Sequence, residues 1–177
     1  MFLAEFFGYF SLSAFAMWAF LMAFFFNVFV FSIDIKRSTT LLLSSFVMMV
    51  SYTASDYFFT WFSYYETTYL DWAIYDIVTI ASLMIFYQFI KKTTPSFLYL
   101  VTGLTLNLIL VSLMHLDVYI YKNLEPWFFW EVYTFGVNII DFLMVIALIV
   151  DRDFLGLHTL KNKLISLFKT SELNQIQ

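Results

Sequence analysis

The 177-residue chain contains no cysteine, which removes disulfides, thiolate nucleophiles, zinc–thiolate centres and iron–sulfur sites together. Charged residues make up 12% of it, about half the share usual in a soluble domain. With 9 Lys and Arg against 13 Asp and Glu, there is no basic surface to hold a nucleic acid. Glycine occurs 4 times and proline twice. No Gly-rich phosphate cradle and no Gly-x-Ser-x-Gly nucleophile elbow is present, and helices are expected to run long and unkinked. What fills the chain instead is apolar: 62% hydrophobic and 23% aromatic residues, with a mean hydropathy of +0.82. A soluble sphere of 21.0 kDa could not hide that many Phe and Leu side chains, and a disordered chain would not carry them. The composition is that of an integral membrane protein.

A hydrocarbon layer about 30 Å thick takes roughly 20 apolar residues as helix. Five stretches meet that length: 9–31, 41–62, 68–90, 97–120 and 127–150. They predict an all-α, five-span domain over residues 1–150, followed by a tail over 151–177. The breaks carry charges and turn formers, and Pro95 and Pro126 stand just before the fourth and fifth stretches, where a missing N–H costs nothing. Connections this short make consecutive helices antiparallel neighbours. The first stretch has no basic segment before it and too long an apolar run for a cleaved signal, so it is expected to be a retained span.

Lys36, Arg37, Lys91, Lys92, Arg152, Lys161, Lys163 and Lys169 fall on one side of a five-span arrangement, with Lys122 alone on the other. That bias predicts an inner-membrane protein with its N-terminus outside and its C-terminus in the cytoplasm. In the tail, Leu157, Leu160, Leu164, Leu167 and Phe168 share one helical face. Lys161, Lys163 and Lys169 suit the membrane surface. The pattern is that of an amphipathic helix, lying on the inner surface or docked on the ends of the spans.

An ionisable side chain inside a span costs at least about 2.5–3.5 kcal/mol, so each one there needs a reason. In the fifth stretch Glu131, Thr134, Asn138 and Asp141 are spaced 3, 4 and 3 residues apart and share a face that should point into the bundle or at a partner. The second carries Ser45, Tyr52, Thr53, Asp56 and Thr60, and the third Thr68, Asp71, Tyr75, Asp76 and Thr79. The fourth places Thr105, Ser112, His115 and Tyr119 together, with Asn107 to one side. In the first, Ala16, Ala19, Ala23 and Asn27 form a stripe of small residues and one amide, the mark of a close helix–helix seam. At 1.5 Å per residue, Asp56, Asp76, His115 and Glu131 lie about 6–12 Å below the outer edge, with Asn138 and Asp141 deeper. Most of the nearby aromatics (Tyr52, Tyr57, Tyr75, Tyr119, Tyr133, Trp61, Trp72 and Trp127) fit an outer aromatic belt.

Carboxyls that converge away from water need a cation or a proton. The layer therefore points to an oligomeric cation- or proton-linked channel or transporter component. Asp56, Asp76, His115 and Glu131 would form its outer site, and Asn138 and Asp141 its inward path. No resident cofactor is expected beyond a bound monovalent cation or proton. The same residues could instead form a hydrogen-bonded knot that holds the bundle. The protein would then be a membrane scaffold, sensor or anchor recruiting a cytoplasmic partner through residues 151–177. Five helices are few for a self-contained transporter, so a homo-oligomer or a subunit of a larger membrane complex is the expected unit. No enzymatic motif is present. An intramembrane metallohydrolase built on His115 and the carboxyls is the third reading, and oxygen-rich donors suit a hard ion better than zinc.

Overall fold

Each stretch that the sequence marks as apolar is helical over its described residues, apart from the N-cap Trp127. The structure, a computed structural model, describes residues 12–34, 38–62, 69–90 and 94–173, with side chains 12–13, 56–62, 164 and 167–173 left out of the description. The helices are α1 (Leu12–Ser32), α2 (Thr39–Phe62), α3 (Tyr69–Ile90), α4 (Pro95–His115), α5 (Phe128–Val150) and α6 (Leu157–Leu173), and no strand occurs among the described residues. Among the described residues, four segments are long and apolar enough to cross a membrane: Ala14–Ser32, Tyr69–Ile90, Pro95–Ile120 and Phe128–Val150. In α2 the described side chains end at Ser55, and Thr39–Ser55 is apolar. The chain is thus a multi-pass helical bundle of membrane-protein type.

Local chemistry sets the helix ends. Pro95 opens α4 behind the N-cap Thr94, whose hydroxyl accepts the backbone N–H of Phe97. At its far end α4 widens into a π-helical turn, Leu116–Ile120, and Lys122 then takes a left-handed conformation (φ 53°). Asp117 ties this end together. Its carboxylate accepts the indole N–H of Trp127 (2.9 Å) and of Trp130 (3.2 Å) and the amide of Asn123 (3.3 Å). α5 stops at Asp151, which closes the helix in the left-handed region (φ 48°) that Asp tolerates better than most residues.

Each of the first four helices packs on the next, and α5 returns against α1, so the bundle closes into a ring; α6 touches α4. Asn27 of α1 locks that closure by donating to the carbonyl of Leu148 on α5 (3.2 Å). Ala16, Ala23 and Asn27 are buried, and Ala19 packs against the core. Outward faces carry large apolar side chains such as Phe15, Trp18, Phe29, Ile77, Phe89 and Ile139, the surface a lipid environment takes and water does not.

The ring is filled unevenly. Its apolar core gathers Leu41 and Met48 from α2, Leu83 from α3, Leu100 and Leu104 from α4, and Met144 and Leu148 from α5, around Phe20 of α1. These positions belong to the half that holds the starts of α2 and α4 and the ends of α3 and α5. Gly103 of α4 lets that half close tightly, because a β-carbon there would stand 2.6 Å from Met144 Sδ and 2.7 Å from its Cγ.

A second joint fixes the tail to the same end. Asp151 accepts the hydroxyl of Ser96 (2.9 Å), and Asp153 accepts the hydroxyl of Tyr99 (2.8 Å). The Tyr99 oxygen in turn accepts the N–H of Leu155 (2.7 Å), and its ring stacks on Phe154 at 4.7 Å. Asp153 also takes the backbone N–H groups of His158 and Thr159 at the start of α6. Desolvation pushes the Asp153 carboxyl up, but these donors outweigh it and hold the group below its ordinary value.

Candidate functional site

The other half of the ring is hollow. A cavity of about 200 Å³ lies between the helices and is lined by all five of them. Ala16 comes from α1, and Ser51, Tyr52 and Ser55 from α2. Trp72, Tyr75 and Asp76 come from α3, Asn107 and Val111 from α4, and Tyr133, Thr134, Val137, Asn138 and Asp141 from α5. No Lys, Arg or His is among them. From the helix rise, Asp141 lies about 20 Å along α5 and Tyr52 about 20 Å along α2, so the floor of the cavity is near mid-height. Trp72, in the first turn of α3, and Tyr133, in the second turn of α5, mark its upper part.

Asp141 is the anchor of the floor. It is 7% exposed, and its Oδ1 accepts two donors from two other helices: the Tyr52 hydroxyl at 2.5 Å and the Asn107 side-chain amide at 2.8 Å. Tyr52 is positioned from behind by Phe20, whose ring centroid is 4.2 Å away. A buried carboxyl bridged in this way binds α2, α4 and α5 together at one point. Asn107 is 3% exposed, and its Oδ1 is buried with no hydrogen-bond partner among the described residues. Asp76 of α3 is half-buried in the lining, and among the described residues no hydrogen bond or ion pair reaches its carboxyl. Around these groups, the Ser51 and Thr79 hydroxyls share a short hydrogen bond, and Asn138 donates to the carbonyl of Thr134 (2.7 Å).

Of the residues singled out from the sequence, the cavity brings together Asp76, Asn138 and Asp141, with Ala16 of the small-residue stripe. His115 and Glu131 are outside its lining. His115 stacks on Tyr119 at 4.9 Å, its buried Nδ1 without a partner among the described residues, and Glu131 is exposed in the first turn of α5. The reason is helical drift. Ten residues at 100° each leave Glu131 about 80° around the helix from Asp141, enough to turn one outward when the other faces in. The same offset separates His115 from Asn107 on α4. There the inward residue is Asn107, and the polar stripe of Thr105, Ser112 and Tyr119 is exposed, with the Thr105 hydroxyl turned back onto the carbonyl of Val101. The side chain of Asp56 is outside the described residues, as is that of Lys169, whereas Lys161 and Lys163 are exposed on α6.

Four aromatics assigned from the sequence to a surface belt, Tyr52, Trp72, Tyr75 and Tyr133, line the cavity instead. Asn107 carried a usable signal: an amide in the middle of the Leu-rich run 104–110 has no cheap place facing lipid. Among the described residues no three His, Asp or Glu side chains converge as ligands for a metal ion. What the site offers is two carboxyls, an amide oxygen, hydroxyls and aromatic side chains around one cavity, with no basic side chain among its described lining residues. No family model matches the chain, and neither a curated protein nor a solved structure is significantly similar to it.

Proposed function

We propose that this chain is a cation- or proton-linked membrane transport component whose site is the central cavity. The observation that carries this reading is that Asp76 and Asp141 line one cavity with no basic side chain among its described lining residues. A carboxyl withdrawn from water is retained with a positive charge or a proton beside it, and here neither comes from the described protein groups. The cavity reaches mid-height, where transport sites of membrane proteins commonly lie. Asn138 and Thr134 continue its polar wall along α5.

In this reading α2 is the fifth span, its 24 residues being long enough to cross, and the N-terminus is outside with the C-terminus in the cytoplasm of an inner membrane. The hollow half then faces outward and the packed half inward. α6 lies along the cytoplasmic surface with Lys161 and Lys163 toward lipid headgroups. The unit is a homo-oligomer or a subunit of a larger complex in which each ring keeps its own cavity. The metal-dependent hydrolase reading has no converging ligand set to support it among the described residues.

A second reading, a scaffold or anchor working through residues 151–177, draws on the joint at Ser96, Tyr99, Asp151 and Asp153, which sets α6 at a fixed place on the bundle. Purified protein in liposomes separates the two. Potential-driven cation or proton uptake in the wild type, reduced more than about tenfold in both Asp141→Asn and Asp76→Asn, is the result expected for a transport component. Silent wild-type liposomes would overturn it in favour of the scaffold.

A further inference from the structure

We infer that the ligand of the central cavity is a protonated organic amine of roughly six to ten non-hydrogen atoms, a deepening that rests on the transport reading above. The first ground is size. A cavity of about 200 Å³ is larger than a bare metal ion needs; an engineered cavity of roughly 150 Å³ in another protein holds one benzene molecule. The second is the character of the walls. A hard cation such as Ca²⁺ takes about 6–8 converging oxygens, and even three acidic or imidazole groups do not converge among the described residues. Instead Tyr52, Trp72, Tyr75 and Tyr133 present aromatic surface to the same space as Asp76. Ring faces attract a diffuse organic cation and also pack its carbon skeleton.

The third ground selects among organic cations. Asp141 Oδ1 is already occupied by Tyr52 and Asn107, whereas Asp76 receives no donor among the described residues and Asn107 Oδ1, in a side chain only 3% exposed, has none. These open acceptors call for N–H donors. A primary or secondary ammonium supplies two or three of them, and a quaternary ammonium supplies none. Asp76 is therefore the partner of the ammonium, with the aromatic rings holding the rest of the molecule.

The test is equilibrium dialysis of labelled benzylammonium against the full chain in nanodiscs, with empty nanodiscs as the blank. Saturable binding is expected, weakened more than about tenfold by Asp76→Asn and about tenfold by Trp72→Leu. Benzyl alcohol and Na⁺ should compete poorly, and benzyltrimethylammonium less well than benzylammonium. If Asp76→Asn does not fold, Trp72→Leu and the competitor series carry the test. Equal competition by benzyl alcohol or by Na⁺, or no saturable binding, overturns the inference. Saturable benzylammonium binding with no uptake of any cation into liposomes would leave the inference standing and remove the transport reading. Proton or Na⁺ uptake without benzylammonium binding would do the reverse.

Discussion

The two halves of the ring are built from the same helices and end in opposite states. Along α4 the inward positions run Leu100, Leu104, Asn107, Val111; along α2, Leu41, Met48, Tyr52, Ser55; along α5 in reverse, Leu148, Met144, Asp141, Asn138. In each helix the change from aliphatic to polar falls at nearly the same height. Below it, aliphatic chains pack around Gly103, where even one added carbon would collide with Met144. Above it, Tyr, Trp and Asp side chains hold polar tips toward one another and prop the helices apart. A pure structural knot would satisfy its own acceptors, as Asp117 and Asp153 do at the helix ends with three donors each. In the hollow half, Asp76 and Asn107 Oδ1 are left open. That difference is the ground on which we propose that the open groups serve a ligand and not the fold alone.

The contrast can be broken first by deleting the same kind of bulk on each side. Leu100→Ala, at a site with no exposure, should destabilise the bundle by about 2 kcal/mol, the low end of the soluble range because packing and not hydration is lost in lipid. Val111→Ala, on the cavity wall, should cost well under half of that, since space is already present there. Unfolding in graded denaturing detergent reads both, and equal losses would mean that the halves are packed alike.

Next in size is a pair of glycines. Gly103→Ala should cost about 1–3 kcal/mol through overpacking on Met144, set against roughly 1 kcal/mol of gained helix propensity. Gly136→Ala meets only Leu110 Cδ1, at 3.2 Å and at the end of a flexible chain, so the propensity gain should prevail and the variant should be neutral or stabilised. A destabilised Gly136→Ala with an unaffected Gly103→Ala would invert the assignment of solid and hollow.

The smallest effect is at the tail joint. The Asp153 carboxyl is held below its ordinary value, so its contribution is fully present above the unfolded carboxylate range, near pH 4, and is lost as pH falls through the lower folded value. Hydrogen exchange at His158 and Thr159 should rise below about pH 4 while the packed half stays protected. Asp153→Asn should show the faster exchange already at neutral pH, and exchange that ignores both changes would remove the carboxylate from the joint.

Much of the fold was legible. Where both limits are described, and with the π-helical turn Leu116–Ile120 counted into α4, the helices begin and end within two residues of the apolar stretches, because length, charge and proline all punctuate at the same places. Asp76, Asn138 and Asp141 were legible as polar residues that lipid would not accept. Which face of each helix turns inward was harder, for a physical reason: the lipid side and the packed side are equally apolar, so hydrophobic periodicity does not tell them apart. Hence Thr105 and Ser112 looked inward and are exposed, their hydroxyls able to turn onto their own helix, while Asn107 looked lateral and is buried. Tyr52 was hidden by its type, since tyrosine belongs both to interfacial belts and to buried networks, and only a partner on another helix decides between them.

The account turns on whether Asp76 and Asp141 take up a positive charge. Infrared difference spectra of the full chain, recorded as cation is added, read this in the carboxyl bands. The expected result is a saturating change assigned to both groups, with the Asp76 component absent in Asp76→Asn and the Asp141 component absent in Asp141→Asn. A spectrum that stays flat in the wild type, or a change that survives both substitutions, would contradict it.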